Sequence, residues 1–399
     1  MASAHYLSLA GWQVTLVERD EVGRGCSYAN AGLIVPSHSH PLPEPGVISQ
    51  ALRWTTRPDS PVYVKPRLDW ALLRWAWQFW RACRPDAAER GASALLALSR
   101  ASLELFEDLR SHLDFFYQRK GLLHAYLSDE GVAAAGHERD AMQQAGFRSR
   151  LLSQQETLEF EPALSPHVRG GLYIEGDAHG NCFDYVWAMA AGLGARGVRV
   201  LTHRAVARIL VAQGRVKGIL TSSPSEEIPA DLVVLAAGVW APALAAPLGI
   251  RIPLQPAKGY SCTIAVYPGG PTMPVFVPER RVAVTPMGDR IRFGGTLELA
   301  GYDQRINARR YRAVVDAGRE VLNDALQWNQ EEAWCGLRPL TPDGLPIIDR
   351  APALEGLIVA TGHAMLGFTQ SPITGKLVAE LAGGQPPSVP LEPFRLDRF

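Results

Sequence analysis

From Ala2 to Asp20 the chain runs through a helix pattern, a glycine, a strand pattern and an acid, and few folds begin in that order. Residues 2–10 are rich in Ala, Leu and Tyr and read as a short helix, and Gly11 stands where a helix-ending residue belongs. Gln13-Val14-Thr15-Leu16-Val17 is a β-branched, mostly apolar run, the pattern of a strand buried in a parallel sheet. It closes on Glu18-Arg19-Asp20. In a dinucleotide-binding βαβ unit, an acid at the end of the second strand accepts hydrogen bonds from ribose hydroxyls. These residues therefore read as the second half of such a unit. Its first half, a strand running into G-x-G-x-x-G, belongs about 20 residues before the acid. Counting back from Glu18 runs past Met1, so the glycine turn and its strand are expected to be missing from the sequence. The plainer alternative is an ordinary helix–strand pair that happens to end in an acid.

Two further segments repeat the theme. Ala230-Asp231-Leu232-Val233-Val234-Leu235-Ala236-Ala237-Gly238 is a buried strand that ends in small residues, which let a backbone turn pass close to a ligand. Before it the pattern gives a helix over 185–195 and strands over 197–201, 206–211 and 216–220, with Gln213-Gly214-Arg215 as a hairpin turn. Near the end, Gly356-Leu357-Ile358-Val359-Ala360-Thr361-Gly362-His363 and Gly367-Phe368 precede a helix over 372–382. Strand, glycine-rich turn and helix again bring amides and a helix N-terminus to a polar ligand.

Composition narrows the class. With 40 Lys+Arg against 40 Asp+Glu in 399 residues, the chain has no charge asymmetry that calls for nucleic acid. Five cysteines without a Cys-x-x-Cys pair argue against a disulfide framework or a structural zinc and suit a reducing cytosol. No stretch reaches the roughly 20 apolar residues of a spanning helix, and the first residues lack a signal-peptide pattern. The expectation is a cytoplasmic α/β enzyme.

Val14–Asp20, Ser27-Tyr28-Ala29-Asn30-Ala31-Gly32-Leu33-Ile34, Lys258-Gly259-Tyr260-Ser261, Gly336-Leu337-Arg338-Pro339-Leu340-Thr341-Pro342-Asp343-Gly344 and Thr361-Gly362-His363 together resemble the FAD-dependent amine oxidoreductases of the D-amino-acid oxidase superfamily. Within it the likeness is to the bacterial D-amino acid dehydrogenases, with glycine, sarcosine and hydroxyproline-catabolic enzymes as relatives. The resemblance covers nearly the whole chain. It implies an α/β (α+β overall) fold, in which a Rossmann-like FAD-binding domain is interleaved with a substrate domain of β-sheet and helices. The expected division gives 1–48, 150–250 and 335–399 to FAD, and 49–149 and 251–334 to substrate.

The resemblance also implies roles. Glu18 would bind the adenosine ribose, with Arg19 beside it. Ser27, Ala29, Asn30, Ala31, Gly32 and Leu33 would run along the pyrophosphate and flavin ring. Val206 would hold the adenine through its backbone, and Ala237 and Gly238 would pass the ribityl and phosphate region. Gly362, His363, Leu366 and Gly367 would lie near the pyrimidine side of the flavin. Arg338 would grip the substrate carboxylate, since a planar guanidinium holds a carboxylate by two parallel bonds. His363 would tune the flavin or relay a proton near neutral pH, or else be a loop histidine bonded to backbone. FAD is expected without a covalent link, because no histidine or cysteine stands at a recognisable attachment position. Hydride transfer from a neutral amine demands no strong acid–base constellation, and the sequence offers neither such a constellation nor a metal site.

Two departures bear on the substrate. The loop His363-Ala364-Met365-Leu366-Gly367 has no second arginine, and residues 282–285 have no tyrosine, which counts against glycine; Tyr260 is the alternative carboxylate partner. In the middle of the chain, residues 52–84, 95–118 and 130–145 read as helices. Residues 121–127, 147–152, 261–268, 275–278, 282–286 and 291–295 read as strands, many of them forming the floor of the pocket. Residues 69–81 carry four of the ten tryptophans together with Arg74 and Arg81. That helix reads either as a buried core element or as a membrane-interface helix, with peripheral contact at the inner face of the membrane and access for a quinone or respiratory acceptor. Three functions stay open: oxidation of a D-amino acid by a dehydrogenase, a sarcosine-, proline- or hydroxyproline-type oxidase or dehydrogenase, and a truncated, inactive flavoprotein remnant.

Overall fold

The computed structural model describes residues 1–49, 51, 60–323 and 331–399. The first helix, Ala2–Leu9, ends at Ala10 and is followed by Gly11 with φ +84°, a conformation glycine adopts at no steric cost. The strand Thr15–Val17 pairs in parallel with Arg199–Leu201. The helix Cys182–Ala195, capped by the Asn181 side chain on Phe183 N (3.1 Å), leads into that second strand. Next comes an antiparallel meander of Val206–Ala212, Arg215–Thr221 and Glu227–Pro229. Its tight turn uses Gln213 and Gly214, both at positive φ. Val233–Leu235 then pairs in parallel with Leu357–Thr361, which Ile347–Arg350 flanks antiparallel. Among the described residues no strand joins the Thr15–Val17 pair, the meander and the Val233–Leu235 group, so the Rossmann-like half consists of three separate sheets. The helix Ser371–Ala382 packs on the first helix so closely that a Cβ on Gly375 would lie 2.5 Å from the Ala2 carbonyl carbon.

The second half is a mixed sheet. Its strands run in the order Glu332–Leu340, Gln255–Ala265, Arg290–Leu299, Val282–Met287, Val275–Val277, Leu122–Tyr126, Gly170–Ile174 and Ser149–Leu152. Alternation divides each strand between two faces. Tyr260, Cys262, Ile264, Val284 and Phe293 point into the large hydrophobic core that includes Tyr311, Val314 and Val321 of the helix Ala308–Val321. Ser261, Gly294, Ala283 and Phe276 point the other way, into a cavity. The boundaries expected at 150 and 334 fall inside strands of this sheet.

Two helix expectations need correction. Residues 52–59 lie outside the described residues. Beyond them Val62–Val64 is a strand beside Leu297–Leu299, because Pro61 and Pro66 bracket a β-branched run. The helix runs only over Trp70–Ala82, where Asp69 Oδ1 accepts from Ala71 N at 2.9 Å and Leu72 N at 3.3 Å. The next helix, Pro85–Leu109, starts earlier than expected with proline in its first turn. It also stops earlier, and Tyr117–Gln118 is a strand paired with His179 and Gly180.

Candidate functional site

The floor of the cavity is built for close approach. A Cβ on Gly259 would fall 2.1–2.2 Å from the Arg338 guanidinium, so the planar group lies directly on the glycine backbone. Arg338 Nη1 donates to Thr296 O at 2.8 Å. The register between Gln255–Ala265 and Arg290–Leu299 slips there, from Lys258↔Glu298 to Tyr260↔Gly295, and Thr296 takes φ +63°. A β-branched residue is strained in that region, and a bulge is a usual way to re-aim a backbone group. Burial lowers the Arg338 pKa from its ordinary value. Among the described residues no carboxylate pairs with Arg338. A half-buried cation with one neutral acceptor is a site for an anion.

Above this floor runs the loop of residues 27–33. Asn30 Oδ1 accepts from Gly32 N at 2.8 Å, and Gly32 sits at φ +75°. A Cβ there would lie 2.1 Å from Met287 Cε and 2.5 Å from Gly180 O, so only glycine fits this cradle. The buried Arg292 donates to Asn30 O (2.9 Å) and to Thr263 Oγ1 (3.0 Å). Tyr28 OH donates to Glu332 Oε1 at 2.7 Å. Thr369 Oγ1 donates to Leu33 O and accepts from Val35 N. At the nucleotide end, Glu18 Oε1 accepts from Asp20 N at 3.0 Å. Arg19 pairs with Asp20 and lies 4.3 Å over the Trp240 ring. Gly238 turns at φ +53°, and its carbonyl accepts from Thr361 Oγ1 (3.1 Å).

One cavity of about 2310 Å³ brings these parts together. Glu18, Arg19, Ser27, Ala29, Asn30, Ala31, Leu33, Val206, Ala237, Gly238, Tyr260, Arg338, His363, Leu366 and Gly367 all line it. Gly32 and Gly362 stand behind the wall, each at positive φ. The volume exceeds the roughly 300–1,000 Å³ of a pocket for one drug-sized ligand, as a dinucleotide with a substrate requires. The Gly32 cradle and the tethered loop fit FAD.

Two expected roles change on inspection. Tyr260 lines the cavity only in part. Its hydroxyl is buried and donates to Glu298 Oε2, while Glu298 Oε1 lies 3.5 Å from the buried Lys258 Nζ. That hydroxyl is committed to the core side of the sheet, because residue 260 alternates with the cavity-facing Ser261. His363 Nε2 bonds to Thr374 Oγ1 at 2.9 Å, a side chain and not backbone. Burial pulls its pKa down to about 4, so the ring is neutral at physiological pH and does not suit a proton relay near neutrality. The tryptophan helix is not a simple core element either. Trp75 is buried, whereas Trp70, Trp77 and Trp80 are 87%, 53% and 61% exposed.

Sequence reasoning missed a cluster on the same cavity. His38 Nε2 lies 2.8 Å from His124 Nε2, His124 Nδ1 lies 3.0 Å from Glu138 Oε1, and Tyr126 OH donates to Glu138 Oε2 at 2.7 Å. The partners are 86 residues apart, so no spacing announces them. The one available signal was Ser37-His38-Ser39-His40 directly after the Leu33–Ile34 strand.

Comparison with known proteins agrees with this geometry. The family model for FAD dependent oxidoreductases (DAO) matches residues 1–381. A D-amino acid dehydrogenase of Paramagnetospirillum magneticum is 35% identical, the alignment covering all of this chain and 96% of that protein. One from Cereibacter sphaeroides is 33% identical, covering all of this chain and 93% of the relative. Among solved structures, glycine oxidase from Geobacillus kaustophilus superposes with a TM-score of 0.78 at 24% identity, over all of this chain and 95% of that one. The shared fold, the match along nearly the full length and the relatives above 30% identity agree: this chain belongs to the FAD dependent oxidoreductase family.

Proposed function

We propose that the protein oxidises D-amino acids to imino acids, which water converts to 2-oxo acids and ammonia, and that the electrons leave through a quinone or another respiratory acceptor. The observation that carries this reading is Arg338, a guanidinium laid on Gly259 with a single backbone acceptor and no carboxylate partner among the described residues. Its free N–H groups suit the α-carboxylate of an amino acid, held by two parallel bonds. The D configuration rests on the relatives named D-amino acid dehydrogenase. Bound FAD supplies a two-electron acceptor for the hydride leaving Cα. The chain's own work is to hold the carboxylate at Arg338, seat the α-carbon over the small surface of Ser261 and Gly294, and keep water from the reacting carbon. One ammonium proton passes to water as the imine forms.

The thiols on the cavity wall support non-covalent FAD. Burial raises the pKa of both Cys26 and Cys182, the latter to about 12, so neither is a ready nucleophile at neutral pH. No described helix is long and apolar enough to cross a membrane. The helix Trp70–Ala82 instead offers Trp70, Leu73, Trp77 and Trp80 outward, with Arg74 and Arg81 and no acidic residue within the helix. Exposed aromatic rings beside arginines suit an anionic lipid surface, which is where a quinone acceptor resides.

The deciding experiment is an anaerobic screen of the purified flavoprotein with D- and L-amino acids. The flavin should bleach with D-amino acids only, then reoxidise with a quinone faster than with oxygen. A flavin that stays oxidised with every D-amino acid refutes the reading, and rapid peroxide formation in air refutes its dehydrogenase half.

A further inference from the structure

The Arg338 grip depends on an irregularity in the neighbouring strands. Between the register pairs Tyr260↔Gly295 and Lys258↔Glu298, the strand Gln255–Ala265 supplies one residue, Gly259, whereas Arg290–Leu299 supplies two, Thr296 and Leu297. Two residues facing one make a β-bulge. It sets Thr296 at φ +63° and turns its carbonyl to Arg338 Nη1. It also resets the alternation of faces, so that Glu298 joins Lys258 and Tyr260 on the core side of the sheet.

These three buried side chains bind one another directly behind the bulge. Tyr260 sits opposite the residue before it, and its hydroxyl donates to Glu298 Oε2, just past it. Burial first, and then the bond to Glu298, raise the Tyr260 pKa, so the hydroxyl keeps the proton that it donates. Lys258 Nζ lies 3.5 Å from Glu298 Oε1 and 5.5 Å from the centre of the Tyr260 ring, and it donates to Arg305 O at 2.9 Å. Arg305 belongs to the segment that leaves the strand after Leu299. The bulge is thus bridged from one side to the other by side chains whose polar ends lie away from the cavity.

The regular ladder shows what this bridge prevents. Without the extra residue, pairing would run on from Tyr260↔Gly295 to Gly259↔Thr296, Lys258↔Leu297 and Ala257↔Glu298. A slip of one residue moves each side chain to the opposite face. Glu298 would then share the cavity face with Arg338, which pairs with the other edge of Ala257. Two strand spacings, roughly 10 Å between backbones, lie within the combined reach of an arginine and a glutamate. The Glu298 carboxyl group would occupy the place that a ligand carboxylate needs. Such a slip moves only residues 297–299, held on their far edge by the short strand Val62–Val64, whereas residues 290–295 are paired on both edges.

We propose that Lys258 and Tyr260, by binding Glu298 on the core face, hold the bulge in register and keep the protein's own carboxyl group off Arg338. They are positioning residues, acting through Thr296 and Arg338. The assignment rests on the carboxylate grip proposed above and adds what keeps that grip open.

The test measures kcat and KM of the FAD-loaded protein with D-alanine, D-leucine and D-phenylalanine and a quinone acceptor. Lys258→Met should raise KM about tenfold for all three and leave kcat within about twofold, the pattern of lost binding shared by ground and transition states. Adding Glu298→Gln to Lys258→Met should return KM to within about threefold of the parent, because an amide competes poorly with a carboxylate for a guanidinium. A merely structural role predicts the opposite, since the second substitution takes away a further part of the network. Tyr260→Phe, which removes one hydroxyl, should raise KM about threefold, with the same rescue by Glu298→Gln. It carries the test should Lys258→Met fail to bind flavin. An unchanged KM, a loss in kcat alone, or a double variant no better than its single parent overturns the assignment while D-amino acid oxidation stands. If no D-amino acid reduces the parent flavin, the reading of Arg338 falls and this one with it.

Discussion

Asp177 is a carboxyl group in the wrong place for a charge. It is fully buried, one residue before the short strand Ala178–Gly180. Its partners are Ser37, whose N donates to Oδ1 at 3.2 Å and whose hydroxyl bonds Oδ2. Burial raises its pKa from 3.8 to about 7, against the lowering effect of the Ser37 bonds and of the Arg119 charge. Because the folded value lies above the unfolded one, the stabilisation is full below about pH 4 and is lost as pH rises through 7. With about 1.4 kcal/mol per pH unit, the step between pH 5 and pH 8 is about 3 kcal/mol. Asp177→Asn keeps the shape and both contacts, since its Oδ1 still accepts from Ser37 N and its amide donates to the Ser37 hydroxyl. The variant should match the parent at pH 4 and below, and its advantage should widen by about 3 kcal/mol between pH 5 and pH 8, read by urea unfolding of both proteins at equal FAD. Unfolding curves of parent and variant that stay parallel from pH 5 to pH 8 would refute the reasoning. They would mean that Asp177 is ionised in the fold at every pH tested.

Arg338→Met should leave flavin bound but raise KM for a D-amino acid about a hundredfold, consistent with the roughly 2–5 kcal/mol cost of truncating a buried charged pair; an unchanged KM removes Arg338 from the site. Thr296→Gly should relieve a strained φ of +63° and stabilise the fold by about 1 kcal/mol, seen as a higher Tm, while KM rises because the Arg338 anchor loosens. A Tm at or below that of the parent would mean that the bulge carries no strain. Trp77→Ser combined with Trp80→Ser should reduce co-sedimentation with anionic vesicles several-fold without changing turnover with a soluble dye, and equal vesicle binding would dismiss the lipid-facing role of that helix.

What the sequence disclosed and what it withheld divide along one physical line. Elements whose partners are near in the chain or whose pattern is periodic were legible. The opening helix and strand announced themselves by Gly11 and a β-branched run. The cavity floor was visible in the alternation of segments such as 291–295, and the turn at Gln213-Gly214 in its residue types. Arg338 stood out because an arginine amid glycine and proline suggests a ligand loop, although it lies on the strand Glu332–Leu340. Contacts closed over long loops left no trace. His38 meets His124, and Arg292 reaches Asn30 across 262 residues, only once the sheet has curled the two halves together. The tryptophan helix misled for a different reason. Apolar composition says that area should be covered, but not by what; Leu72 and Trp75 are buried, with Phe79 packed beside Trp75.

The strand Arg290–Leu299 links the proposed carboxylate grip to the loop proposed to lie along the flavin. Arg292 on this strand holds the Asn30 carbonyl, so it fixes the loop proposed to lie along the flavin. Four residues on, Thr296 turns its carbonyl to Arg338, fixing the proposed carboxylate grip. Four residues of strand span roughly 13 Å, and strand geometry has little freedom along its length once both edges are paired, here by Gln255–Ala265 and Val282–Met287. Neither arginine has a carboxylate partner among the described residues, so each depends on the backbone and hydroxyl groups it bonds. Displacing the loop would leave Arg292 buried with one partner fewer, a loss of order 1–3 kcal/mol. The interleaved order of the chain, which scatters each half over distant segments, is thus compatible with a rigid site, because one paired strand carries both anchors.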